Sequence, residues 1–337
     1  MFRRLLAALL SVVFAASVLV LSWPQLFSLQ RVAGIAQLAS FRGAATLGAA
    51  VLLVVLLVLA TASARFRRLG LCLSALALVF IVFNAAVLTS RGFGGSALPV
   101  RAATDLTVVA WNTLGGAPGP DAIATLAIDS DADIVALPET TEATAKAAAE
   151  RMTAAGLPMV SHTVAYGHIS SSHSTSMLIS TALGAYHLDA AAGSTSTLTS
   201  LVMVSVSGTG PRIIAAHPVA PLPNELENWN RDLRWLAGAC PSGNVILAGD
   251  FNATLDHLAG LGTAPGTTIG ACTDCALRAR SAAVGTWPTG IPALLGTPID
   301  HVMTTKNWKV LGMRVVQNLD GAGSDHRPIV VRLRPAA

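Results

Sequence analysis

The hydrophobic rhythm of the chain changes once. Up to about Leu88 apolar residues run almost without interruption; after Asp105 they fall into short β-branched runs alternating with Ala-rich segments of helical period. Three uninterrupted stretches, Leu5–Trp23, Ala44–Ala64 and Leu69–Leu88, carry no charge, and each is close to the roughly 20 residues that cross a bilayer as a helix. Val51–Leu59 is apolar on every helical face, more than a helix buried in a soluble core requires. A cleaved signal peptide is the competing reading of the first stretch, since Arg3 and Arg4 precede it. Its length and the lack of a small-x-small site favour a membrane span.

Beyond Asp105 the pattern predicts strands at Leu106–Trp111, Ile134–Leu137, Thr175–Ser180, Ser200–Ser205, Arg212–Ala216, Asn244–Ala248, Ile299–Thr304, Val310–Gln317 and Pro328–Leu333. It predicts helices at Gly119–Asp129, Thr141–Ala155 and Leu226–Ala239. Many strands with few helices imply two packed mixed sheets with helices outside, an α/β (α+β) four-layer sandwich preceded by three transmembrane helices. The expected organisation is a membrane domain over 1–90, a Gly-, Ser- and Pro-containing linker over 91–104, and a globular domain over 105–337, long enough for one core.

Charge sharpens this division. No Asp or Glu precedes Asp105, whereas nine Arg do; the remainder holds thirteen Lys and Arg against all eighteen acids, a formal charge of −5. The overall +4 therefore joins a basic membrane segment to an acidic domain. Arg3 and Arg4 precede the first span, and Arg65, Arg67 and Arg68 lie between the second and third. Positive residues stay in the cytoplasm, so three spans leave the C-terminal domain outside. Arg31 and Arg42 count against that orientation; their loop, Leu26–Phe41, is expected along the membrane surface. Cys240, Cys272 and Cys275 fit an oxidising exterior. A disulfide from Cys240 to either of the other two is expected, with the partner left open.

The strand ends carry the chemistry. VVAWNTLGG ends a strand at Asn112, IVALPET at Glu139 and AAHPVAP at His217; VILAGDFNAT presents Asp250 and Asn252; IDHVM starts at Asp300, and SDHRPIVV holds Asp325 and His326. Singly, each has a plain structural explanation. Glu139 suits a helix N-terminus, Asn112 a turn before Gly115 and Gly116, and Asp250 with Asn252 a tight turn. Together they supply what phosphate-ester hydrolysis needs: oxygen ligands for a hard cation, a base for water, and donors for developing charge. An Asp–His pair also fixes an imidazole's tautomer and keeps it protonated.

In this order the segments resemble the endonuclease/exonuclease/phosphatase superfamily, with its DNase I-like fold, over residues 105–334. GDFN followed by an Asp-led strand and SDHRP is the specific part; WNT and the strand-end Glu support it. The resemblance implies that Asn112, Glu139 and Asp325 serve a metal site for Mg²⁺ (or Mn²⁺). It gives phosphate contact to His217, water activation to Asp250 with support from Asn252, and a pairing of Asp300 with His326. His173, His301 and Arg327 are candidate substrate contacts. Gln usually precedes the metal Glu in this family; here it is Pro138. The three-span layout resembles an actinobacterial membrane-associated branch that includes VanJ-type teicoplanin-resistance proteins, which implies a lipid-linked pyrophosphate of cell-wall synthesis as substrate. A phospholipid or sphingomyelin phosphodiesterase, an extracellular nuclease and an inactive membrane-anchored binding module are the alternatives. The −5 charge and three lysines disfavour nucleic acid as a partner, and no protein partner is indicated. The linker spans at most about 50 Å when extended, which keeps the domain near the membrane.

The orientation is checked by fusing reporters after Ala337. Alkaline phosphatase is expected to be active there and a cytoplasm-dependent fluorescent protein dark; the opposite pattern would overturn the topology.

Overall fold

The computed structural model describes residues 1–94, 98–165 and 171–336. Residues 95–97 of the expected linker, Ser170 at the start of the Ser-rich loop around His173, and Ala337 lie outside the described residues. The N-terminal segment forms α1 (Phe2–Ser22), a short α2 (Ile35–Ser40), α3 (Arg42–Ala62) and α4 (Arg67–Arg91). Helices α1, α3 and α4 are each long and apolar enough to cross a membrane; 21 residues of helix reach about 31 Å. Helix α4 packs against both α1 and α3. Its buried positions include Gly70, Ser74 and Ala77, small residues that let helix backbones approach closely.

The rest of the chain forms β1 (Leu106–Ala110), α5 (Gly119–Asp129), β2 (Ile134–Pro138), α6 (Glu142–Ala154), β3 (Met159–Ala165), β4 (Ser174–Ser180), β5 (Tyr186–Leu188), β6 (Leu201–Ser205), β7 (Arg212–Ala216), α7 (Leu226–Ala239), β8 (Val245–Asp250), α8 (Leu255–Leu258), β9 (Leu261–Gly262), β10 (Ile269–Gly270), β11 (Thr273–Asp274), β12 (Asp300–Thr304), β13 (Trp308–Val315) and β14 (Ile329–Pro335). One sheet runs β13-β14-β1-β2-β4-β3 and the other β11-β12-β8-β7-β6-β5. Both are mixed: β1 lies parallel to β2 and β7 to β8, and the remaining pairs are antiparallel.

Period-two alternation sorts the strands' side chains. Val108, Ala110, Ile134 and Ala136 pack between the sheets against Ile213, Ala215, Ile246 and Ala248. The alternate residues Val109, Trp111, Val135 and Leu137 face outward under α5 and α6, and Val245 and Leu247 face α7. The expected layers are therefore present. Strands β3 and β5 are absent from the predicted set. Both are edge strands with weak apolar alternation, as in MVSHTVA, and β3 is only half-buried along most of its length.

Asp256, on α8, joins the two parts of the molecule. It is 4 % exposed and accepts from Arg42 at 3.0 Å, Arg91 at 2.7 Å and Gln25 Nε2 at 2.9 Å. Arg42 also donates to Ser22 O at 3.2 Å and to Asn84. The ends of α1, α3 and α4 are thus gathered under one carboxylate. Burial pushes the Asp256 carboxyl upward, but Arg91 and Arg42 outweigh it and hold it well below the usual carboxylate range. The loop expected along the membrane surface instead packs on the sandwich: Arg31 donates to His257 O at 2.6 Å and to Ala259 O at 3.0 Å, Gln37 donates to Pro221 O, and His257 Nε2 lies 3.0 Å from Ala36 O. A Cβ on Gly43 would lie 2.0 Å from Leu294 O, so α3 abuts the sandwich backbone directly. The two arginines that counted against the predicted orientation are committed to protein contacts.

Cys240 bonds to Cys272, leaving Cys275 a buried free thiol.

Asp256→Asn removes the one carboxylate that, among the described residues, pairs with the buried Arg42 and the part-buried Arg91. The expected loss is about 3–5 kcal/mol, read as a lower unfolding midpoint of the detergent-solubilised chain at neutral pH. The wild-type contribution is present above the unfolded carboxyl pKa, about 4, and is lost only as pH falls through the lower folded value. An unchanged midpoint would sink this account.

Candidate active site

Strand ends from both sheets meet at one edge of the sandwich. Asn112 follows β1 and Glu139 follows β2; His217 follows β7, Asp250 ends β8 and Asp300 starts β12. Asp250 and Asp300 are register partners on adjacent antiparallel strands. Like charges directly opposite are unfavourable, and both are buried, at 1 % and 2 % exposure. His326 answers this repulsion: its Nδ1 lies 2.9 Å from Asp300 Oδ2 and its Nε2 3.8 Å from Asp250 Oδ2. Burial opposes the imidazolium, but the charges of Asp300 and Asp250 outweigh it and raise His326 to about 10. Burial raises Asp250 to about 7, opposed by the His326 charge and reinforced by Asp300.

Backbone geometry aims the groups. Gly249 has φ +141°, and a Cβ there would lie 2.2 Å from Ala216 O, so only glycine lets β8 close on β7 just before His217. Glu139 (φ 54°) and Asn252 (φ 46°) both adopt the left-handed region, a strain of about 1–3 kcal/mol that concentrates at functional sites. Asn252 N donates to Asp250 Oδ1 at 2.7 Å, and its amide bridges Asp250 Oδ2 at 3.2 Å and Pro218 O at 3.0 Å. Asn112 Nδ2 ties the sheets together, donating to Glu139 Oε1 at 2.9 Å and Asp250 Oδ2 at 3.0 Å. Burial raises Glu139 above the ordinary range, opposed by the Asn112 hydrogen bond and the charge of His326.

His217 is fully buried, with Nδ1 3.0 Å from Thr175 Oγ1 and Nε2 without a hydrogen-bond partner among the described residues. Nε2 lies 3.9 Å from Glu139 Oε1. This is not an ion pair, because burial and the nearby charge of His326 hold the ring neutral, at about 3. Asp325 accepts from Trp287 Nε1 at 2.8 Å through Oδ2. Its Oδ1, like Asp300 Oδ1, is buried with no partner among the described residues.

The structure therefore brings Asn112, Glu139, His217, Asp250, Asn252, Asp300 and His326 together, with Asp325 beside them. Half-buried His173 lies close enough for its charge to act on Glu139 and His217. Two candidate substrate contacts are placed otherwise. His301 is 2 % exposed and uses both ring nitrogens, on Asp274 Oδ2 at 2.7 Å and Ala253 O at 2.9 Å. Arg327 is 1 % exposed; it pairs with Asp320 at 2.6 Å and bonds the carbonyls of Gly285, Pro288, Thr289 and Ile291. His301 and Arg327 are corrected from substrate contacts to internal supports, because neither presents a free donor to the cleft. Sequence reasoning missed Thr175 and Trp287. Neither stands in a motif, and each reaches its partner only through the fold.

Four carboxylates against one imidazolium, with two orphaned buried oxygens, fit a cation. Asp250, Asp300 and His326 offer atoms within 4.8 Å of one another, a grouping a metal ion could occupy. His326 already uses Nδ1 on Asp300 and carries a proton, so the capacity for a hard ion falls on carboxylate oxygens. Asn112 turns its nitrogen toward the carboxylates and its Oδ1 to Leu114 N at 3.0 Å; ligation by Oδ1 requires a half-turn of the amide.

Two packed mixed sheets with an acidic cluster at their shared edge define a phosphoesterase-type fold. Residues 109–326 match the model of the Endonuclease/Exonuclease/phosphatase family, and the chain belongs to that family. Its members are hydrolases acting on phosphoester bonds. Among solved structures, a humanized D. rerio TDP2 carrying 14 mutations is 15 % identical and superposes with TM-score 0.52 over 69 % of this chain and 100 % of its own. An endonuclease/exonuclease/phosphatase from Beutenbergia cavernae is 21 % identical (TM-score 0.49; 69 % and 72 %). A mannosyl-6-phosphatase from Bacteroides thetaiotaomicron is 17 % identical (TM-score 0.45; 68 % and 99 %). At these identities the first likeness concerns fold alone. No match was found among curated proteins.

Asp300→Asn removes the main charge holding the His326 proton. His326 in the intact site stays protonated up to about pH 10. The alkaline limb of the pH–rate profile is therefore expected to move to lower pH in the variant, and an unmoved limb would refute the pairing.

Proposed function

We propose that the protein is a metal-dependent phosphoesterase working at the outer face of the cytoplasmic membrane on a lipid-linked phosphate or pyrophosphate. A polyprenyl pyrophosphate of cell-wall synthesis is the favoured substrate, in line with the resemblance to the VanJ-type branch. The observation that carries this reading is the position of the cleft relative to the membrane helices. Trp287, which holds Asp325, packs against Phe41 with the rings tilted by 55° and their centroids 5.8 Å apart, and Phe41 is the residue immediately before α3. Asp256, six residues after Asp250, is clamped at the ends of α3 and α4. The Arg3–Arg4 and Arg65–Arg68 clusters belong to the opposite helix ends, so the positive-inside rule supports an outward-facing cleft. A phosphate borne on a membrane lipid meets such a cleft at high effective concentration.

In this reading Glu139 and Asp325, with Asn112, would hold Mg²⁺ or Mn²⁺, which when bound neutralises phosphate charge. The chain's own groups divide the remaining work. Asp250 accepts the proton of the attacking water as its oxygen bonds to phosphorus and the bond to the leaving oxygen breaks; a carboxyl near 7 suits a base at neutral pH. Asn252 and Asn112 orient that carboxylate. His326, kept protonated by Asp300, and His217 Nε2 meet the charge on the phosphate oxygens.

The test uses full-length protein with Mg²⁺ or excess chelator, offered polyprenyl pyrophosphate, phospholipid or DNA. Phosphate release from the pyrophosphate is expected, abolished by chelator and reduced about 10²–10⁴-fold in Asp250→Asn and Glu139→Gln. Full activity in chelator would overturn the metal assignment, and faster cleavage of DNA or phospholipid would overturn the substrate.

A further inference from the structure

A second concavity, basic where the cleft is acidic, lies at the other end of the sandwich. Strand β8 begins at Val245 and ends at the catalytic Asp250, and β12 runs from Asp300 to Thr304. The groove opens beside Ser242, Gly243, Thr304 and Thr305, about 17–20 Å along the strands from the cleft. Its volume is about 670 Å³, the size of a small-ligand site.

Its charge is unlike that of the domain around it. Arg278, Lys306 and Lys309 line it, and among the described residues no Asp or Glu side chain does. The chain has three lysines in all, and two stand here. All three cations are exposed, and none has an ion pair among the described residues. The neighbouring acid, Asp274, is fully buried and turned onto His301 Nδ1 at 2.7 Å. Three unneutralised cations around one hollow repel each other and favour an anion between them.

The walls are fixed before any ligand arrives. Trp308 donates Nε1 to Asn244 Oδ1 at 2.7 Å, which holds the indole at the groove wall. Thr305 Oγ1 accepts from Val245 N at 3.2 Å and donates to Asn307 Oδ1 at 3.2 Å. The Cys240–Cys272 disulfide ties together the segments that bring Ser242 and Thr273 to the groove. Thr263 and Thr273 also line the groove, and Thr273 Oγ1 donates to Gly266 O at 3.1 Å, which fixes that wall further. Three cations contributed by separate positions around one hollow match an anion whose charge is spread over several phosphate groups, more than a single phosphate.

We propose that this groove is a second binding site, separate from the cleft, for an oligophosphate anion. It stands independently of the substrate proposed above. The experiment titrates the full-length protein, in detergent with chelator present to silence hydrolysis, with inorganic phosphate, tripolyphosphate, long-chain polyphosphate and duplex DNA, using calorimetry and tryptophan fluorescence. Tripolyphosphate or polyphosphate is expected to bind more tightly than inorganic phosphate and to weaken with added salt. The triple variant R278Q/K306Q/K309Q is expected to lose about tenfold or more in affinity, while K306R/K309R retains it. Hydrolysis of a soluble phosphoester in Mg²⁺ should stay within about twofold in both variants, since no machinery of the cleft is touched. Tighter binding of polyphosphate than of tripolyphosphate identifies a polymeric ligand, and equal binding a small one. Failure of both to bind, binding unaltered by the triple variant, or tighter binding of DNA through the same residues would overturn the proposal.

Discussion

The site depends on burying carboxylates at the edge where two sheets meet. Asp250 and Asp300 face each other across paired strands, with Glu139 and Asp325 beside them. Such crowding is unfavourable unless positive charge or donors enter it. His326 from the last loop, Asn112 from the first strand end and Trp287 from a distant loop each supply part of the compensation. The same crowding that raises Asp250 and His326 leaves oxygens of Asp300 and Asp325 unpaired. The arrangement is poor for stability alone and well suited to a cation and a phosphate, which would complete it.

Asp256 extends that logic toward the three apolar N-terminal helices. The segment that turns away from Asp250 reaches Asp256 within two turns of chain, and there Arg42 and Arg91 hold it. The loop after Asp250 is therefore braced by helices from the other end of the sequence. A linker alone would keep the domain near the apolar helices; this buried pairing also fixes how it sits on them. Removing the helices would leave a buried carboxylate without its partners, so the intact chain is the proper object for assays.

Much of the fold was legible because local periodicity reports burial. Val108, Ala110, Ile246 and Ala248 alternate with residues that face helices, and the sheets follow that alternation. Strands β3 and β5 were not legible, because an edge strand buries too little to impose a clear pattern. Catalytic candidates at strand ends were legible because apolar runs stop at polar residues there. His301 and Arg327 stand in the same kind of position, in IDHVM and SDHRP, yet the chain turns them inward. A motif shows that a side chain is polar beside a strand; it does not show which partners its atoms meet.

The sequence by itself determined the three apolar helices, the succession of strands and helices, and the set of polar residues at the strand ends, since each follows from the spacing of neighbours along the chain. The tertiary structure alone decided that Cys272 rather than Cys275 pairs with Cys240, that Trp287 serves Asp325, and that Arg42 and Arg91 meet on Asp256. Those contacts join residues brought near only when the sheets pack and the helices dock. Their geometry is fixed by close packing and by the need to pair buried charge, and neither constraint leaves a local trace in the sequence.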